Sequence, residues 1–561
     1  MLVPSKLLKS NQRGIPDLRR HLTCSCMILV VFSAASLGIR AQNADHAAHA
    51  RSGPVPREIL DRPVALRAGI GTVHQKVATS SPEAQSFYDQ GLAYLHSFVW
   101  IEAIRSFHQS LRADPDIAMA YLGLADAYIG LQDVATARAA VERAKTFEEK
   151  MNDRELAWLN IRDAEVGFLE DGGGDDAYVT YRKSVGDALK KTPNDPWLWI
   201  QRGLADEASP LTHGQAGGVD TLAFYKTALA LAPENLPAVH YYGHTCENIG
   251  RIKEALDLTA TYAHLAPAIP HAHHMHGHEL LRSGRTEEAI QEFLKTKELE
   301  DSYYRLEKIP ARYDWHHAHN LQLLAMAYQS LGQMKSAAKL FQEVFAAPAY
   351  TEFLEYNRRA WPEFLIHRGR YDEALEAARE LTNSSWPMAR LAAHSLAGQA
   401  LLALNRMNDA KDEFNAAERE SESLPPRTAA ALPYPTVLRA DILLRENHTQ
   451  DAEGLWIDVE KSILAMPGPD AWSSATFQLE MIAQSARDAG DWKLAGYTAR
   501  NMMEHNPGYA GGYYAMALVA RHEHDPAAEK RLLASAQKLW SKADPDLPEL
   551  AASQRELARQ R

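Results

Sequence analysis

Two histidine pairs are the residues of this sequence whose type and spacing could do chemistry. His240 and His244 form one H-x-x-x-H pair, and His274 and His278 form a second pair 34 residues later. Side chains four residues apart lie on one face of an α-helix, so each pair points one way if its segment is helical. Imidazole nitrogens bind transition metals such as Zn, Cu, Ni and non-haem Fe. The pairs predict a metal site if the fold brings the two segments together.

The elements that must position these pairs repeat along the chain. From Ala84 onward the same order of small and aromatic residues recurs, first at Phe87, Gly91, Tyr94, Ala103, Phe107 and Pro115. The next unit repeats the spacing at Tyr121, Ala125, Tyr128 and Ala137. Small residues let two helices cross closely while an aromatic ring fills the gap beside them, and a 34-residue period is typical of helix-turn-helix repeats. The pattern predicts about twelve helix pairs between residues 84 and 543.

On these residues the chain resembles the tetratricopeptide repeat superfamily. Its opening, from Gln85 to Leu92 and from Ala118 to Tyr121, is also similar to a group of secreted bacterial repeat proteins with histidine-bearing middle repeats. The resemblance implies an all-α, right-handed superhelical solenoid whose first helices line a concave groove that binds protein or peptide partners. It also implies that catalysis is uncommon. An open solenoid end requires a polar cap, which we expect from the charged segment 544–561.

The repeat phase extends the candidate metal site beyond the two pairs. His271 lies on the stripe of His274 and His278, Glu247 lies on the stripe of His244, and His319 occupies in the next repeat the place of His271. These positions face the groove in the family. The predicted metal ligands are therefore His240, His244, Glu247, His271, His274, His278 and His319. His316 and His317 are either further ligands or loop surface. The alternative is a polar groove whose histidines bond to Tyr, Glu or peptide carbonyl groups.

Composition and the N-terminus indicate where the protein acts. Residues 1–41 hold six Lys/Arg and one acid, so the chain charge of −12 becomes −17 without them. An acidic chain without basic clusters argues against nucleic acid and anionic membranes as partners. The apolar run from Met27 to Ile39 is too short to span a bilayer and is typical of a signal peptide. We expect a signal at 1–41, general or twin-arginine, a partly extended tether at 42–83, and a periplasmic or secreted protein.

Two functions stay open at the level of the sequence. One is an exported scaffold that holds a protein or peptide in its groove, and the other is a transition-metal-binding protein or metal-dependent enzyme. The sequence contains no Gly-rich phosphate loop, G-x-S-x-G elbow or H-E-x-x-H segment, so it predicts no catalytic residue and no organic cofactor. Cys246 is the one cysteine after the signal, which leaves no partner for an intramolecular disulfide.

Overall fold

The computed structural model describes residues 55–207, 214–349, 351–466 and 468–560, and these residues contain helices and no strand. The predicted signal at 1–41 and the first part of the predicted tether lie outside the described residues. None of the described helices combines the length and the apolar character needed to cross a bilayer. The helical repeats predicted from the small and aromatic residues are confirmed.

A short helix, α1 (Arg57–Leu60), precedes seven helix pairs in the first part of the chain. The pairs are α2 (Pro82–Leu95) with α3 (Trp100–Ala113), α4 (Ala118–Gly130) with α5 (Val134–Lys145), α6 (Asp153–Glu170) with α7 (Asp175–Lys191), α8 (Pro196–Ala205) with α9 (Leu222–Leu231), α10 (Leu236–Asn248) with α11 (Ile252–Leu265), α12 (Pro270–Arg282) with α13 (Thr286–Glu307), and α14 (Trp315–Ser330) with α15 (Met334–Ala346).

Five further pairs follow, with two short helices between them, and bring the described pairs to twelve. The elements are α16 (Glu352–Asn357), α17 (Ala360–His367) with α18 (Tyr371–Leu381), α19 (Pro387–Ala403) with α20 (Met407–Ser423), α21 (Pro426–Ala431), α22 (Tyr434–Arg445) with α23 (Thr449–Leu464), α24 (Pro469–Asp488) with α25 (Trp492–His505), and α26 (Ala510–His522) with α27 (Pro526–Leu539). A final helix, α28 (Pro548–Arg559), packs on α27.

The small residues of the repeat are placed where neighbouring helices cross. The Phe107 ring of α3 lies between Gly91 of α2 and Gly123 of α4, and it is fully buried. A Cβ atom at either glycine would lie 2.5 Å from a carbon of that ring. The pattern of small and aromatic residues thus sets the distance between successive helices, since protein interiors are close-packed.

The superhelix is covered from its N-terminal side by residues that precede the first repeat. The Ala268 amide, between α11 and α12, donates a hydrogen bond to the Gly69 carbonyl at 2.8 Å. The Arg62 guanidinium donates to the Glu307 carbonyl at 2.8 Å, and Arg67 forms an ion pair with the Glu307 side chain. The segment before α2 therefore rests on repeats that follow it by about 200 residues.

The C-terminal repeats return to the same middle part of the chain. The Asp544 amide donates to the Gly332 carbonyl at 3.1 Å, between α14 and α15. Arg368, the residue after α17, forms two hydrogen bonds with Glu549 of α28, at 2.9 and 3.1 Å. The inner faces of α10, α12 and α14 are covered by the chain itself, since their histidines are buried and are contacted by Phe98 and Asp470 from other parts of the chain.

Candidate metal centre

The histidines lie on the first helices of three successive pairs. His240 and His244 belong to α10, His271, His274 and His278 to α12, and His319 to α14. The α10 helix begins after Asn235, whose side chain accepts a hydrogen bond from the Ala238 amide at 3.0 Å. Each of these helices therefore starts and ends at a fixed place in the repeat, and the repeat brings their inward faces side by side.

The first histidine group joins α10 to α12. The Nε2 atom of His271 lies 3.0 Å from His240 Nε2 and 3.3 Å from His244 Nε2. All three side chains are buried. Nitrogens that bind one tetrahedral ion at bond lengths of 2.0–2.1 Å lie about 3.3 Å apart, so the observed spacing fits a shared ion.

The second group joins α12 to α14. The Nε2 atoms of His274 and His278 are 2.8 Å apart, and the ring centroids of His274 and His319 are 4.7 Å apart. One nitrogen from each of these three residues lies within 4.8 Å of one nitrogen of the others. The same statement holds for the first group. The two groups adjoin, since the His271 and His274 rings are 6.0 Å apart.

The outer nitrogens of the first group have partners that fix the tautomer of each ring. His240 Nδ1 lies 2.7 Å from the His96 carbonyl, which can only accept, so this nitrogen carries the proton. His316 Nδ1 lies 2.6 Å from a Glu300 oxygen, and its Nε2 lies 3.2 Å from His271 Nδ1. With His316 protonated at Nδ1, its Nε2 accepts the proton of His271 Nδ1. The Nε2 atoms of neutral His240 and His271 thus face each other with lone pairs.

The second group follows the same rule in part. The Asn320 amide nitrogen donates to the Phe293 carbonyl at 3.1 Å, which turns its oxygen toward His274 Nδ1 at 2.9 Å. His278 Nδ1 lies 3.4 Å from Glu247 Oε1, and His319 Nδ1 lies 3.5 Å from Asp470 Oδ2. The Asn320 oxygen fixes the proton of His274 on Nδ1 and leaves its Nε2 a lone pair, whereas the carboxylates beside His278 and His319 do not fix the tautomers of those rings. Partners of this kind are typical of histidines that ligate a metal.

Glu247 lies between the two groups. Its Oε1 is 3.4 Å from His278 Nδ1 and its Oε2 is 3.7 Å from His244 Nδ1. Burial would raise the pKa of Glu247, but the His278 charge and hydrogen bonds from His244 and His278 outweigh burial and hold the pKa below its usual value. Burial and the Glu247 charge together raise the pKa of Glu279 to about 10. An ionised carboxylate is thus buried between the two histidine groups.

Burial is also the main influence on the histidines themselves. It lowers the pKa of His240, His271, His274 and His319 well below 6.5, and the neighbouring histidines lower it further. These rings are therefore neutral at pH 7, which is the form that binds a metal.

The structure places the seven predicted ligands as follows. Six of them, the histidines, form two groups of three rather than one. Glu247 contacts the outer nitrogens of His244 and His278 and not the inner ones. His317 pairs with Glu300 at 2.7 Å, whereas His316 is buried against His271.

Several residues of this centre were not predicted from the sequence. They are His96, Phe98, Glu300, Asn320 and Asp470. Asn320 follows His319 on α14, Glu300 lies on the second helix α13, and the other three come from distant repeats. Glu300 had a usable signal, because it follows the site helix α12 in the same repeat and precedes His316 by 16 residues. For Asp470 no signal exists at the level of the repeat, since the contact depends on the return of α24.

The described chain is an all-α repeat protein with a buried histidine cluster, and comparisons with known proteins agree with that class. Residues 318–348, in α14 and α15, match the tetratricopeptide repeat family model. The other helix pairs of the described residues have the same helix-turn-helix architecture as this matched pair. A comparison with curated proteins found no significant match.

Several solved structures are similar to parts of the chain. A tetratricopeptide repeat protein from Parabacteroides merdae ATCC 43184 is 16% identical, with 47% of this chain and 93% of that one covered and a TM-score of 0.34. The type IV pilus biogenesis factor PilW is 16% identical, with 49% and 98% covered and a TM-score of 0.25. Yeast Tom70 is 12% identical, with 86% and 90% covered and a TM-score of 0.29. None of these similarities bears on function.

Proposed function

We propose that the protein binds two transition-metal ions, one in each histidine group. The observation that carries the proposal is the approach of the unprotonated Nε2 atoms of His240 and His271 in the first group, 3.0 Å apart. The second group has a similar arrangement, with the Nε2 atoms of His274 and His278 2.8 Å apart. Lone pairs at that distance repel unless a cation lies between them. In the first group, the His96 carbonyl and the Glu300 carboxylate oppose the alternative in which one ring turns its proton inward.

The donor set favours particular ions. Each group offers three imidazole nitrogens and no carboxylate oxygen, whereas non-haem Fe(II) sites use two histidines with one carboxylate. Three nitrogens with an open fourth position suit Zn and Cu best, and Ni is the next candidate ion. The open position is where a small molecule could bind to the ion.

Metal content of the exported protein, purified without a histidine tag, tests the proposal. We expect about two ions per chain in the wild type and about one in the double variant His274→Ala/His278→Ala. The matched control is His273→Ala/His276→Ala on the same helix, whose side chains lie outside the two groups and pair with Glu292 and Thr259. Wild-type protein without stoichiometric metal would contradict the proposal, and so would a double variant that folds and keeps both ions.

A protein or peptide partner, as the repeat architecture suggests, is the second part of the proposal. Because the chain covers the inner face of α10, α12 and α14, such a partner would bind another part of the solenoid surface. Its binding should then be indifferent to a chelator, and chelator-sensitive binding would link it to the metal centre instead.

We also infer that the protein acts outside the cytoplasm, on the strength of the apolar run from Met27 to Ile39. Intact-mass measurement of the exported protein should give a chain that begins near Gln42. A membrane-bound species that retains residues 1–41 would contradict this.

A further inference from the structure

A cavity of about 210 Å³ lies beside the first histidine group. Its inner end is formed by His271 and His316, and its walls carry the aromatic rings of Phe98, Trp100 and Trp315. A dry cavity of about 150 Å³ is large enough for benzene, so this one holds a single ring with a few further atoms. Leu306, which is 65% exposed, stands at its mouth.

The charged groups of the cavity wall are already paired with one another. Glu102 accepts hydrogen bonds from Arg105 and from the Tyr303 hydroxyl, the latter at 3.1 Å. Glu307 forms ion pairs with Arg67 and with Arg105, the latter at 2.9 Å. A charged ligand would therefore bury its charge without compensation, and the cavity favours a neutral one.

Two buried side-chain polar atoms of the wall, among the residues that the structure describes, have no hydrogen-bond partner: Ser97 Oγ and Trp315 Nε1. The indole N–H of Trp315 is buried and has no hydrogen-bond partner there. A buried unpaired donor is costly, and an acceptor on the ligand would remove that cost. The chemistry of the wall thus selects a neutral aromatic ring that carries a hydroxyl or carbonyl oxygen.

Phe98 lines this cavity together with His271 and lies between the cavity and His240, which is not part of the wall. Its ring centroid lies 4.7 Å from that of His240 and 4.8 Å from that of His271. Its backbone φ is 60°, in the left-handed region that a bulky side chain rarely adopts. Most corresponding turns of other pairs place Gly or Asn there, and two place Gln132 and His524; the Gly and Asn residues are Gly250, Gly284, Gly332, Gly369, Gly490, Asn405 and Asn447. Strain of this kind is often kept for a function.

From these observations we propose that the cavity binds a neutral, single-ring aromatic molecule beside the first metal ion, with Phe98 as the barrier between ligand and ion. The position of the ligand beside an ion rests on the proposed metal sites, whereas its binding in the cavity does not. The cavity itself can be tested without metal.

Binding of 4-fluorophenol, followed by ¹⁹F NMR on the full chain, tests the cavity. Apoprotein should bind the probe, and Ser302→Trp, which fills the cavity from α13, should weaken binding at least tenfold. If Ser302→Trp does not fold, Leu306→Trp at the exposed mouth replaces it as the variant that blocks the cavity. The matched control is Leu294→Trp, on the exposed side of the same helix and outside the cavity, and it should bind like the wild type. Absence of binding to the wild type, or equal loss in all three variants, would overturn the proposal.

Comparison of Co(II)-loaded with Zn(II)-loaded protein tests the position of the ion. Paramagnetic Co(II) should speed ¹⁹F relaxation of the bound probe several-fold over Zn(II), and Phe98→Asn should increase this ratio by letting the ring approach. If Ser302→Trp blocks binding of the probe but Co(II) does not change the ¹⁹F relaxation of the bound probe, the placement beside the ion would be overturned. An unchanged ratio in Phe98→Asn would overturn the barrier. Failure to take up either ion would instead contradict the proposed function, and the apoprotein titration would still decide the cavity.

Discussion

At the scale of single residues, the second nitrogen of each imidazole decides what the first can do. Glu300 is fully buried and accepts from His316 Nδ1 at 2.6 Å, which makes His316 an acceptor for His271. The lone pair that His271 offers to the first group is thus set by the Glu300 carboxylate, which acts on it through His316. Such outer partners typically change metal affinity by about 10–100-fold when they are mutated.

The variant Glu300→Gln should therefore weaken the first site alone. An amide can donate to His316 Nδ1, which would reverse the proton positions of His316 and His271 and protonate the nitrogen that faces His240. We expect a loss of affinity of about 10–100-fold for one of two ions, measured by competition with a chromogenic chelator. The matched control is Glu292→Gln, since Glu292 pairs in the same way with the outward His273 at 2.7 Å. Equal effects of the two variants would contradict the relay.

A second residue-scale prediction concerns Asp441, which lies far from the histidines. Burial raises its pKa to about 6, although hydrogen bonds from Gln399 and Ser485 oppose the rise. Because the folded pKa lies above the unfolded one, the protein loses stability as the pH rises from about 4 to above 6. Asp441→Asn removes that loss, so it should stabilise by up to about 3 kcal/mol at pH 7.5 and by little at pH 4.

Thermal unfolding midpoints at the two pH values measure this effect. Asp412→Asn, an exposed aspartate on α20, is the control and should change neither midpoint. An Asp441→Asn variant with the same midpoint shift at both pH values would show that the substitution acts through packing and not through charge.

At the scale of elements, the fixed spacing of small and aromatic residues gives each helix pair its geometry. Gly91→Ala should destabilise by about 1–3 kcal/mol, because its new Cβ would meet the Phe107 ring at 2.5 Å. Phe107→Leu should relieve part of that cost, so the two changes together should not add. Gly454→Ala on α23 is the control, and its stability should change in the opposite direction. No atom lies within 4 Å of its Cβ position, so a gain of up to about 1 kcal/mol is expected. A Gly91→Ala variant that gains stability like Gly454→Ala would refute the crossing argument.

The same spacing explains how far the sequence could predict the structure. It predicted the helix pairs and the shared direction of His240 and His274, because each repeat packs on its neighbour with a local pattern. It could not predict that Gly69 meets Ala268, that Gly332 meets Asp544, or that His319 meets Asp470. Those contacts depend on small rotations that add up over many repeats and on insertions such as 301–317, so no single repeat encodes them.

At the scale of the whole molecule, N-terminal and C-terminal segments of the chain pack over the histidine groups of the middle repeats. The Phe98 turn reaches the first histidine group from the N-terminal side, and Asp470 at the start of α24 reaches the second from the C-terminal side. An ion bound in either group would thus be covered by a segment more than 140 residues away in the chain (142 from Phe98 to His240, 151 from His319 to Asp470). Metal binding should stabilise these segments together. A ligand that binds only the folded form stabilises every segment whose folding is required for binding.

Hydrogen exchange with and without Zn(II) measures that linkage. At a free Zn(II) concentration of about 100 times Kd, the linkage amounts to about 2.7 kcal/mol, or about 100-fold slower exchange. We expect this slowing in α10, α12, α14, the Phe98 turn and the first turn of α24. In α20, which packs against α19 and α22 away from the histidines, exchange should stay unchanged. The variant His274→Ala/His278→Ala should lose the slowing at α14 and α24 and keep it at the Phe98 turn. Protection confined to α10 and α12, with none at the Phe98 turn or at α24, would show that the covering segments are independent of the metal centre.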